Sequence, residues 1–269
     1  VLLYKSDKNI VSLIDDAILD KKIKGRIMGS IYLTDQKYDR ALREYLSLKD
    51  DRLLLEFAAI CKKQGLDSLA LICYHRLGVN IEAARIDMEF GNYTKALELL
   101  GESKDIEGKV LQAECFIKMQ RLNEAHKLLD SILKLSAPLQ AYLLMENIYL
   151  HRKEFNNAEN ILNAATTYIV KDSLHYIFYA KANLYFFQGK MGDAVEGYNW
   201  LVGRFPSSVF ANDALEKLLF IRKAAYDTLA LTMYGRILYL AETDSLHNAI
   251  DSARPVSYTH LTLPTNREV

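Results

Sequence analysis

The apolar residues of this chain recur three to four and seven positions apart nearly from end to end, the spacing that lays one stripe along a helix face. Five segments show it in the same form: RALREYLSL (40–48), KALELLGE (95–102), EAHKLLDSIL (124–133), NAENILNAA (157–165) and DAVEGYNWLV (193–202). Each has a polar residue, then alanine, then apolar residues at helical spacing. The two-residue alternation of a half-buried strand is absent from Val1 to Arg254. The pattern predicts an all-α chain.

The alanines themselves form a series. Ala41, Ala70, Ala96, Ala125, Ala158 and Ala194, with Ala230 as a weaker seventh, are separated by 29, 26, 29, 33, 36 and 36 residues. A second small residue lies twelve positions before the first four and the sixth: Gly29, Ala58, Ala84, Ala113 and Ala182. Turn-like tetrads stand between the helices: DQKY, KQGL, FGNY, MQRL, RKEF and QGKM. Small residues are needed where two helices cross closely, so the unit is a helical hairpin repeated about seven times. Pro138 and Pro206 fall between hairpins, where a helix must stop in any case.

This spacing resembles the tetratricopeptide repeat, whose signature runs Trp, Leu-Gly-x-x-Tyr, Ala-x-x-x-Phe and Pro. The best copy is HYIFYAKANLYFFQGKMGDAVEGYNWLVGRFP (175–206). Phe178 stands for the tryptophan, Ala182 and Tyr185 for Gly-x-x-Tyr, Ala194 and Tyr198 for Ala-x-x-x-Phe, and Pro206 closes the unit. GSIYLTDQKYDRALREYLSL (29–48) matches through Gly29, Tyr32, Ala41 and Tyr45, while the copies ending near 77 and 100 are shorter and lack the closing proline. The resemblance implies a right-handed superhelical α-solenoid over residues 1–254, with a concave groove lined by the first helix of each hairpin. Such a groove binds an extended peptide or a partner helix. GRFPSSVFANDALEKLLF (203–220) further resembles the inter-repeat turn of bacterial cell-envelope assembly and lipoprotein-type repeat proteins, which gives an alternative reading.

In the family an inward-facing residue follows the small residue of the first helix. Here it is Ser30, Ala59, Arg85, Glu114, Asn147 and Asn183 in turn. The candidate groove residues are Asn147, Asn183, Tyr176, Tyr179, Phe186, Arg85 and Lys118. An asparagine amide can donate to a carbonyl and accept from an N–H of a bound peptide, and the aromatics would hold an apolar anchor. The same aromatics would serve equally as inter-repeat core, and the asparagines could be solvated. Arg52, Arg85 and Lys118 would attract an acidic segment, or else pair with Glu56, Glu89 and Glu114. The Lys, Asn and Arg set of chaperone-tail clamps is incomplete.

Composition removes other classes. Lys+Arg and Asp+Glu are equal at 34 each, so no global basic field attracts nucleic acid. The longest apolar run, YIFYAKANLYFF (176–187), is cut by Lys181 and Asn183 and cannot span a bilayer. Cys61, Cys73 and Cys115 show no Cys-x-x-Cys spacing and read as buried small hydrophobes, and the six histidines show no metal spacing. Ser131 and Lys134 form a Ser-x-x-Lys pair on a predicted amphipathic helix, a coincidence of spacing. No cofactor or catalytic residue is expected. The chain reads as a non-catalytic scaffold for a protein or peptide partner, or as the docking part of a larger enzyme. The first residue is Val1 and no signal-like segment follows, so a fragment is expected and the compartment, cytoplasm or periplasm, stays open.

VSYTHLTLPT (256–265) breaks the helical period. It resembles the translation of a transposase sequencing adapter. Residues 255–269 are therefore expected to be an unstructured, read-through tail of a bacterial fragment, and the hairpin begun at DSLHNAIDSAR (244–254) to lack its second helix.

Overall fold

In a computed structural model of the chain, residues 20–101, 103–243 and 249–250 are described, and they carry fourteen α-helices and no strand. In order these are α1 (Lys21–Thr34), α2 (Tyr38–Leu48), α3 (Asp51–Lys63), α4 (Asp67–Leu77), α5 (Asn80–Glu89), α6 (Tyr93–Leu100) and α7 (Ile106–Lys118). There follow α8 (Leu122–Leu135), α9 (Leu139–His151), α10 (Phe155–Tyr168), α11 (Leu174–Phe187), α12 (Met191–Arg204), α13 (Ala211–Lys223) and α14 (Thr228–Glu242). The tail from 255 onward and most of 244–254 lie outside the described residues.

One local device is used six times. Gln36, Gly65, Gly91, Gln120, Lys153 and Gly189, one in each predicted turn tetrad, adopt positive φ between 59° and 76°. In each turn the next residue's N–H closes back onto a carbonyl five positions earlier at 2.7–2.9 Å, as Glu154 does to Tyr149 and Lys190 to Tyr185. This left-handed cap satisfies the orphan carbonyls of the first helix and turns the chain straight into the second.

The chain divides into two compact units, Val1–Cys115 and Phe116–Val269, with the boundary inside α7. In the first unit, α1/α2, α3/α4 and α5/α6 pack as hairpins. In the second, α9/α10 and α11/α12 do so, α8 packs on α9, and α13 packs on α12. The alanines of the series from Ala41 to Ala194 are fully buried, as are Ala58, Ala84, Ala113 and Ala182. At Gly29 an added Cβ would run into the Tyr45 ring, and at Gly197 it would lie 2.9 Å from the Ala182 Cβ. Both positions are close crossings between the two helices of a hairpin. The three cysteines are buried and unpaired with one another.

The seventh hairpin departs from expectation. Ala230 is only half-buried, and α14 makes its main helix contact with α11 rather than with α13. The physical reason lies at Gly235. A Cβ there would sit 2.6 Å from the carbonyl oxygen of Phe186, so only glycine lets α14 seat on the last turn of α11. α14 still meets α13 through Tyr234 on Phe220, ring centroids 4.3 Å apart, but part of the apolar side of α13 stays uncovered, with Leu215 and Leu219 exposed. A cleft of about 350 Å³ remains beside α12, lined by Val195, Leu215, Leu218 and Leu219 among others. Meanwhile α11, covered by α10, α12 and α14, is apolar on nearly every side.

Candidate partner-binding site

The second unit holds the sequence's strongest candidates, and α11 and α13 bring them together. Tyr179 and Asn183 lie one turn apart on α11, and Asp213 and Lys217 one turn apart on α13. The Lys217 ammonium reaches the Asp213 carboxylate at 2.6 Å, the Tyr179 hydroxyl at 2.8 Å and the Asn183 carbonyl at 3.2 Å. Tyr179 donates its hydroxyl to Asp213, and Tyr198 of α12 donates to the Asn183 carbonyl at 2.7 Å. The ammonium also stands over the Tyr179 ring, 4.8 Å from its centroid.

Burial pulls the Lys217 ammonium toward neutrality, but hydrogen bonding to Asp213 and Tyr179 outweighs it and holds its pKa above the ordinary value. Burial pushes the hydroxyls of Tyr179 and Tyr198 up. The network is therefore a charged centre in fixed geometry. The lysine side chain is 12% exposed, whereas that of Asp213 is 46% exposed and open to a partner.

Aromatic rings border it. Tyr179 stacks on Phe210 at 4.3 Å, and Tyr176 meets the same ring edge-on at 5.1 Å. Phe186, the fourth candidate on this helix, is fully buried and packs on Tyr234 of α14, which makes it core rather than lining. Asn147 is half-buried on α9. Arg85, in the first unit, is ion-paired to Glu107, and Arg52 pairs with Glu56 at 3.1 Å, the internal pairing that was one of the two readings, although Arg85 takes Glu107 and Lys62 takes Glu89. Lys118 is exposed at the end of α7. On another side of α11, Phe178 stacks on Trp200 with ring centroids 3.7 Å apart.

Sequence reading missed three residues. Lys217 and Asp213 sit one helix beyond the best repeat copy, and nothing in the repeat signature marks them. Glu146 stands twelve residues before Ala158, where the repeat spacing calls for a small residue. That was a legible signal. Its carboxyl is buried, and burial first, then the charge of Glu242 on α14, pushes its pKa up to about 8.

Among the described residues no group of three or more His, Cys, Asp or Glu side chains could hold a metal ion, and no helix is long and apolar enough to cross a membrane. No protein-family model matches the chain, and no curated protein matches it. A solved structure of a tetratricopeptide repeat protein from Parabacteroides merdae ATCC 43184 is similar at a TM-score of 0.57 and 16% identity, over 87% of this chain and 98% of that one. The APC/C hetero-tetramer Cut9–Hcn1 aligns at a TM-score of 0.38 and 13% identity, over 96% of this chain and 64% of that one. The first likeness shows the fold, a tetratricopeptide-type solenoid of helical hairpins.

Proposed function

We propose that the chain is a non-catalytic protein-interaction scaffold, and that the face shared by α11 and α13 holds an extended peptide segment of a partner. The observation that carries this reading is the lysine-centred network spanning consecutive first helices. Lys217 fixes Tyr179, Asn183 and Asp213 before any partner arrives, so little ordering cost falls on binding. The exposed side of Asp213 suits a basic group or backbone N–H of the partner, and the Tyr176 and Phe210 rings beside it suit an apolar side chain. Asn147, one hairpin earlier, extends the same set of first-helix positions. Arg85, in the first unit, offers a cation to an acidic segment by exchanging Glu107, and Lys118, exposed at the end of α7, is a separate candidate cation.

Peptides selected by display against the purified chain test this. Titrated by fluorescence anisotropy, a selected peptide should bind Asn183→Ala and Asp213→Asn at least tenfold more weakly than wild type. Both variants should keep a cooperative melt. Binding unchanged in both variants would remove this face from consideration.

A further inference from the structure

One side of α13 lies in water although it carries large apolar side chains. Leu215, Leu219 and Arg222 fall within about 60° of one another around the helix, at 3.6 residues per turn. Tyr226 follows in the turn beyond the helix. Leu215 is 43% exposed, Leu219 54% and Tyr226 91%. The stripe runs into the cleft beside α12, where Leu215, Leu219 and Arg222 meet Val195. Asp213 and Lys217 point about half a turn away from it, so this is not the face of the lysine-centred network.

The charges beside the stripe are arranged symmetrically. Glu216 and Lys223 stand on the same flank of it, about two turns apart, with Leu219 between them. Both are exposed, and among the described residues neither is in an ion pair. A two-fold axis at Leu219 sets a second α13 antiparallel to the first and lays each flank along its own copy. Glu216 of each copy then comes opposite Lys223 of the other, so the acid and the base meet twice. Leu219 meets its own copy, and Leu215 comes opposite the end that carries Tyr226. The stripe therefore complements itself in both apolar surface and charge.

We propose that this stripe is the interface between two copies of the chain, joined as an antiparallel pair of α13 helices with a Glu216–Lys223 ion pair on either side of Leu219. Burial of Leu215, Leu219 and Tyr226 drives association, and Arg222 lays its aliphatic stem along the same surface. The ion pairs add little affinity but fix direction and register. The contact uses the same patch on both copies, so assembly stops at two. The interface does not rest on the proposed function. It does bear on it, because the dimer leaves the opposite side of each α13 open and so presents two peptide-binding faces to a partner with two segments.

Sedimentation velocity of the full chain over a concentration series tests this. Wild type should pass from monomer to dimer as concentration rises. Leu219→Glu puts two like charges on the two-fold axis and should give a monomer with a cooperative melt. Should that variant fail to fold, Tyr226→Asp, outside the helix, gives the same reading. Glu216→Lys and Lys223→Glu each act twice across the axis, so each alone should weaken the dimer at least tenfold. The two together restore opposite charges and should return the dimer to within about threefold of wild type. Asp213→Asn should leave it unchanged. A chain that stays monomeric at its highest soluble concentration overturns the proposal, whether the stripe then proves bare or covered by residues beyond 243. So does a dimer that survives Leu219→Glu and Tyr226→Asp, or a charge-swapped double variant no tighter than the single ones.

Discussion

Tyr239 donates its hydroxyl to the carbonyl oxygen of Leu150 at 2.7 Å, across 89 residues of chain and inside the core. Tyr239→Phe should cost about 1 kcal/mol, because the carbonyl keeps only the Lys153 N–H and the hydroxyl bond is lost while the ring stays packed. Chemical denaturation should show a lower midpoint with an unchanged slope. A midpoint equal to wild type would mean that water replaces the hydroxyl.

Glu146 makes stability depend on pH. Its folded pKa, about 8, lies above the ordinary carboxyl value of 4.5, so the folded state binds the extra proton. The contribution is therefore complete below pH 4.5 and is lost as pH rises toward 8. At pH 7 the loss is on the order of 3 kcal/mol. Glu146→Gln should flatten this part of the stability profile and raise the denaturation midpoint at pH 7. Parallel profiles for the two proteins would contradict the buried placement.

Lys217→Met should cost about 2 kcal/mol. It removes the ammonium from the Tyr179 hydroxyl and the Asn183 carbonyl, which keep Asp213 and Tyr198 respectively, and strips Asp213 of its cation while keeping the aliphatic packing. Asp213, half in water, loses less. Asp213→Asn should therefore cost under about 1 kcal/mol in the same urea titration, since exposed pairs contribute little. A reversed order would place the charge centre on the aspartate.

The six left-handed caps predict opposite signs for opposite changes. Gln36, Gln120 and Lys153 hold positive φ with a Cβ present, so Lys153→Gly should stabilise by up to about 1 kcal/mol. Gly189→Ala should destabilise by about 1 kcal/mol. Thermal melts of the two variants should move in opposite directions.

Ala194 is buried without residual exposure on α12. Ala194→Leu should overpack its surroundings at about 1–3 kcal/mol. An unchanged melting temperature would count against the repeat register.

What the sequence made legible was local. A turn tetrad needs one left-handed residue, and a hairpin crossing needs small ones, so Gly65, Gly189 and the alanine series announce themselves by spacing alone. Tyr179 and Asn183 were found by the same register. Their partners were not, because Lys217 lies 34 residues beyond Asn183 and meets it only when α13 packs on α12. The route of α14 was hidden for a related reason. Ala230 fits the spacing, but the deciding contact is between Gly235 and a carbonyl on α11. Backbone carbonyls leave no mark in a pattern of side chains.

The burial of the cysteines has a practical corollary. All three thiols lie in the first unit, and burial pushes them up to about 11 for Cys61 and Cys115 and about 12 for Cys73. A thiolate reacts and a thiol does not. Alkylation of these residues thus waits for the surrounding helices to open. The single tryptophan, Trp200, lies in the second unit and is stacked on Phe178, so its emission follows the separation of α11 from α12. Each half of the chain therefore carries its own native reporter. Pulsed alkylation and fluorescence, run on one unlabelled sample, time the opening of the two halves separately.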